Sequence, residues 1–186
     1  MTEAEAHKIL SAGSTLIPGK FYGTENELGL GAGLVYADIR CPIFDPNDRV
    51  YSTVELPIYV LTHECDVDPK NVRAFNDYLT ICPLIPLREF LYECMSWGQD
   101  ENELRSFLSA IANRSVNRLV YLPPGPSRLE YGALLYLNNI ASTHISEFES
   151  IKPIAAVSAY GLDVIDKSFS NHFLRPKSDR LSLGPQ

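Results

Sequence analysis

The chain is 186 residues long, 45% hydrophobic and 21% charged, with a formal net charge of -7. That is the composition of a globular protein with room for a sizeable core. The acidic balance argues against a sequence-blind nucleic-acid binder, whose phosphate affinity comes from clustered lysine and arginine.

The acidic opening MTEAEAHKIL has no signal-peptide core, and no apolar run reaches membrane-spanning length, so a cytoplasmic protein without a membrane partner is expected. Within it, Ala6, Ile9 and Leu10 fall at i, i+3 and i+4, which predicts a short helix or frayed arm over residues 1–12. Gly13, Gly19, Gly23, Gly29, Gly31 and Gly33 then mark turns between short strands. Gly29–Leu30–Gly31–Ala32–Gly33 has the glycine density of a phosphate loop but not the GxGxxG spacing. It also precedes a strand, whereas a dinucleotide fingerprint opens a helix, so it reads as a turn and no cofactor is expected.

Leu34–Cys41 alternates as a strand, and Pro42 with the Asp45–Pro46–Asn47–Asp48 cluster predicts a hairpin-type turn. Val50–Leu61 is dense in β-branched and aromatic residues, with Pro57 splitting it into two strands or marking an edge strand with a bulge. Tyr78–Ile85, carrying Pro83, is another strand, while residues 86–98, with the single tryptophan Trp97, give no clear element. Asp100–Ala112 reads as a helix from Leu104, Phe107, Leu108 and Ile111, with Asp100 and Glu103 placed as a capping box. Arg118–Leu122 and Tyr131–Leu137 form a hairpin around Pro123–Pro124–Gly125–Pro126. Ser158 caps a second helix running to Phe173, and residues 176–186 read as a flexible tail. Helices and strands do not alternate regularly, so residues 1–175 are expected to form a single α+β domain rather than a doubly wound sheet.

The chemistry concentrates in LTHECDVD, residues 61–68. On a strand, His63 and Cys65 project to one side, so Cys65 could act as a nucleophile with His63 as base and Asp66 or Asp68 orienting it. The favoured reading is a strand-end cysteine packed inward, with Asp66 and Asp68 starting the turn to Pro69. Buried structural cysteines outnumber reactive ones, and adjacent carboxylates oppose a thiolate. His63, Cys65, Asp66 and Asp68 make one arm of a zinc ligand set without the second, so no metal is expected. The four cysteines, Cys41, Cys65, Cys82 and Cys94, contain no CxxC pair and read as reduced thiols that mostly fill the core. Arg73, Arg114, Arg118 and Arg128 could gather into a phosphate or RNA contact, but Glu101, Glu103 and Glu130 interleave with them and favour an ordinary solvated surface. His144 and His172 carry no motif. Trp97, Tyr121, Leu122 and the Pro123–Pro126 loop are the candidate apolar partner surface.

The run ELPIYVLTHECDVDPKNVRAFNDYLTICPLIPL, a proline-led strand, a polar turn, a loop and an apolar strand ending in a Pro-Leu step, resembles the MazF/PemK-like toxins of bacterial mobile elements. The resemblance covers residues 15–90 and implies a small SH3-like β-barrel, here carrying two appended amphipathic helices and a β-hairpin. That family cleaves RNA with an arginine before the proline of the first strand and a threonine or serine after the Pro-Leu step of the second. Here Glu55 and Leu56 precede Pro57, and Ile85 and Pro86 follow Pro83–Leu84, so both catalytic positions differ. The expectation is a non-catalytic binding or regulatory subunit of a bacterial or phage conflict system, with another protein subunit as partner. Its alternatives are an RNA endonuclease with relocated residues, such as Arg73 with His63, and a small hydrolase using Cys65 and His63.

Overall fold

The structure, a computed structural model, describes residues 1–13, 16–23, 30–45, 48–68, 70–71 and 77–174; Arg73 and the expected tail lie outside the described residues. In chain order the elements are α1 (Glu3–Gly13), α2 (Pro18–Phe21), β1 (Leu34–Asp45), β2 (Val50–Val60), α3 (Glu64–Val67) and β3 (Tyr78–Pro86). They continue with α4 (Leu87–Ser96), α5 (Glu101–Ala112), β4 (Leu119–Leu122), β5 (Ala133–Tyr136), β6 (Ala141–His144), β7 (Ala155–Ala156) and α6 (Ala159–Phe173). The described part of the glycine-rich segment therefore holds the helical turn α2 and an isolated bridge from Tyr22 to Val157, rather than short strands.

The strands form one seven-stranded sheet in the order β4-β5-β3-β2-β1-β7, with β6 also paired to β3, and every ladder is antiparallel. The class is α+β, as the sequence implies. β5 and β6 lie end to end along one edge of β3, against Leu84–Pro86 and Tyr78–Ile81 respectively. The far side of β6 reaches β1 through side chains. Thr143 Oγ1 donates to the Arg40 carbonyl at 3.5 Å, and the Arg40 guanidinium grips Glu147 with two bonds of 2.7 Å. Among the described residues no backbone ladder joins β6 to β1, so the sheet stays open where a barrel would close.

Pro57 does not split β2, which runs unbroken past it. The irregularity sits in the partner strand, where Tyr36 faces Ile58 and Ile39 faces Leu56, leaving Ala37 and Asp38 together opposite Pro57. Backbone direction explains the tolerance. The Val60 carbonyl accepts from Gly33 N–H at 3.1 Å on the β1 side, whereas Leu61 N–H donates to Thr80 at 2.9 Å on the β3 side. Carried back along the strand, this alternation aims the position of Pro57's missing N–H away from β1, where no ladder bond is lost.

Side chains partition by strand alternation. Val120 and Leu122 of β4 pack with Val164 and Ile165 of α6, while Leu119 and Tyr121 face the opposite layer of α1, α4 and α5. A third cluster fills the curl of β1, β2 and β3, where Tyr36, Ile39, Ile58, Val60 and Ile81 meet Phe148. In α4, Leu87, Phe90, Leu91 and Cys94 recur at i, i+3, i+4 and i+7 and are buried against α5. The capping box of α5 forms as the spacing predicts: Asn102 and Glu103 N–H donate to the Asp100 carboxylate at 2.7 and 2.9 Å, and Asp100 N–H donates to Glu103 at 3.0 Å. Ser158 caps α6 by accepting from Gly161 N–H at 3.1 Å. Among the described residues no helix is long and apolar enough to cross a membrane.

Candidate functional site

β2 delivers LTHECDVD to the end of the sheet, where Thr80 N–H donates to the Thr62 hydroxyl at 2.6 Å. The strand ends there. His63 stands just before α3, whose turn is closed by Asp66 N–H donating to the His63 carbonyl at 3.0 Å. Beyond it, Asn71 Nδ2 donates to the Cys65 carbonyl at 2.8 Å and Lys70 N–H to Asp68 Oδ1 at 2.9 Å. Val67 enters the core of the curled strands. Opposite it, Gly31 is buried so tightly that a Cβ there would stand 2.7 Å from the Glu64 Cβ and 2.8 Å from its Cα. Gly31 of GLGAG thus serves a close approach between two backbones.

This geometry corrects the inward placement of Cys65. Because the chain turns helical at Glu64, the core position goes to Val67, and Cys65 is exposed together with His63, Glu64 and Asp66. The strand argument that brought His63 and Cys65 to one side does not apply to a helical turn. His63 Nδ1 lies 3.7 Å from Glu64 Oε2, and the Cys65 thiol points at Asp66 Oδ1 from 3.9 Å. Among the described residues no histidine nitrogen bonds to the thiol, and no three His, Cys, Asp or Glu side chains gather as metal ligands. What the turn offers is an accessible thiol beside a carboxylate. The other cysteines are buried, which pushes the Cys41 thiol up to about 11 and the Cys82 thiol up to about 12 and also raises Cys94.

Of the β4–β5 hairpin's candidate contact residues, Pro124 and Gly125 are half-buried and Pro126 is exposed. Tyr121, Leu122 and Pro123 are buried, because α6 covers one face of β4 and α1 with α5 covers the other. The Tyr121 hydroxyl meets His7 Nδ1 at 2.6 Å, and Ser11 Oγ meets the same nitrogen at 3.1 Å. Burial pushes the Tyr121 phenol up to about 12. Arg114 and Arg118 are exposed on the connection from α5 to β4, and Arg114 borders a cleft of about 50 Å³ with Val116, Ser168 and Asn171. The Arg128 side chain lies outside the description, as does Arg73, so two of the four arginines are placed.

Trp97 fulfils its expected exposure. It caps the end of α4 with 81% of its surface open, followed by Gly98 at φ 82°. Tyr92, 71% exposed, and Met95 share a face of α4 three residues apart, turned away from the indole. A groove opens between Trp97 and the outer side of α5, lined by Gln99, Asn102, Ser106, Phe107 and Ala110. In that lining, Gln99 Oε1 is buried with no hydrogen-bond partner among the described residues. Sequence reasoning missed Tyr92, Met95 and Gln99 because it missed α4, although Leu87, Phe90, Leu91 and Cys94 carry the helical period.

Comparisons with protein-family models, with curated proteins and with solved structures found no match to this chain.

Proposed function

We propose that the chain is a non-catalytic binding subunit that works through protein–protein contacts, with the Trp97 corner as its contact. The exposure of Trp97 carries this reading. A nearly bare indole is costly to leave in water, and tryptophan anchors are enriched where partners bury each other's surface. Phe107 and Ala110 line the groove beside the ring and extend the apolar surface open to a partner. The open curl of β1, β2, β3 and β6 is compatible with an SH3-like barrel in its incomplete form, and a bacterial or phage conflict system is the setting which that resemblance suggests.

A second reading follows from the exposure of Cys65: a thiol-dependent hydrolase, with His63 moving to the thiol when substrate binds. The purified protein, incubated with RNA and separately with activated esters, tests both readings. The binding reading expects intact RNA and no ester turnover beyond that of the Cys65→Ala chain. Turnover lost in Cys65→Ala would replace it with the thiol enzyme.

A further inference from the structure

Every residue of β2 from Val50 to Glu55 is exposed, so the outer half of the β1–β2 hairpin stands clear of the core as a two-stranded arm. Its only described ladder is the one between its own strands, because β3 joins β2 only from Ile58 onward. The alternation fixed by Val60 and Leu61 aims the N–H and C=O groups of Tyr51, Thr53 and Glu55 outward, at this unpaired edge. No proline, lysine or bulge interrupts the edge between Val50 and Leu56. The opposite edge of the arm is different. Pro42, facing Thr53, turns its missing donor outward, and the Arg40 carbonyl is taken by Thr143. An isolated two-stranded ribbon is marginal in water, so the free edge of β2 is a place for another strand.

We propose that the added strand is β2 of a second copy of this chain, paired antiparallel about a two-fold axis at Ser52. Outward-pointing residues must face outward-pointing residues, so the axis must pass through a residue rather than between two. Centred on Thr53, Tyr51 faces Glu55 and Arg49 comes beside Pro57. Centred on Val54, Thr53 faces Glu55 and Arg49 comes beside Tyr59, which β3 already covers. Centred on Ser52, Val50 faces Val54 and Tyr51 faces Thr53, while Arg49, in the turn leading into β2 at φ 56°, comes beside Glu55 at both ends. This register alone pairs both charges and both valines, with the aromatic against a β-branched residue. It converts two arms into a four-stranded ribbon, and it leaves the Trp97 corner untouched.

Sedimentation equilibrium of the full chain across a concentration series tests this. A monomer–dimer equilibrium is expected for the wild type. Thr53→Pro removes an N–H that faces only the free edge, so it should abolish the dimer while thermal unfolding stays cooperative. Arg49→Glu and Glu55→Arg alone place like charges beside each other twice per dimer and should each weaken association about tenfold. The double exchange should restore it. Trp97→Ala should leave the dimer intact, which separates this pairing from the partner contact. A wild type that stays monomeric at every concentration overturns the proposal. So does a dimer indifferent to the charge reversals, or one lost in Trp97→Ala.

Discussion

Glu64 rests on Gly31: the first turn of α3 comes so near that a Cβ on Gly31 would lie 2.7 Å from the Glu64 Cβ and 2.9 Å from its backbone nitrogen. Two stretches thirty-odd residues apart in sequence, GLGAG and LTHECDVD, are thereby one structural unit. Gly31→Ala must push α3 off its seat or strain the turn before β1, because the obstruction includes backbone atoms. A loss of about 1–3 kcal/mol in urea unfolding is expected, in the range of overpacking substitutions. An unchanged midpoint would show that α3 does not sit on Gly31.

Native thiol counting should find one fast site. Cys65 is exposed, whereas Cys41, Cys82 and Cys94 are buried. A disulfide reagent should therefore modify one thiol at once and the others only on unfolding, and Cys65→Ser should remove the fast phase. A fast phase that survives Cys65→Ser would contradict the burial of the other three.

Alkaline pH should weaken the fold in a definite window. The Cys41 and Cys82 thiols are raised from 9.0 to about 11 and about 12 by burial. Below pH 9 both folded and unfolded chains keep these protons, so stability is flat. Above it the unfolded chain releases them and the folded chain does not, so stability falls as pH rises toward about 12. Tyr121, raised from 10.0 to about 12, adds to the fall above pH 10. Urea midpoints across this range should drop, and Cys82→Ala should show a shallower slope.

Stability and contact should separate between α5 and the corner that precedes it. Asp100→Ala removes a cap that takes two backbone bonds and should cost about 1 kcal/mol. Trp97→Ala deletes an exposed ring and should change stability by less than about 0.5 kcal/mol. As the single tryptophan, Trp97 should also emit like a solvated indole before and after unfolding.

Local signals were readable where local physics decided the outcome. The Asp100 and Ser158 caps and the apolar stripe of α5 act within one turn of chain, and each forms as the spacing predicts. Thr2 and Glu5 carry the same S/T-x-x-E signature at the start of α1, where Glu5 N–H donates to Thr2 Oγ1 at 3.3 Å and Thr2 N–H donates to Glu5 at 2.8 Å, so of the two expected forms the helix is the one that appears. Long-range geometry was not readable. β6, ASTH, is polar and becomes a strand only because β3 offers it an edge. The bulge that accommodates Pro57 lies in β1, on residues with no local mark. Cys65 was expected inside on strand periodicity, and a single helical turn handed its place to Val67. Tyr121, read as a contact residue, proved to be packed against the layer of α1, α4 and α5.

The most direct measurement is affinity capture from native lysate by the wild-type and Trp97→Ala chains, with and without nuclease. A protein partner that survives nuclease treatment, is lost with Trp97→Ala and is kept by Cys65→Ala is the predicted result. Capture that nuclease abolishes, or that is indifferent to Trp97, would contradict a binding subunit working through that corner.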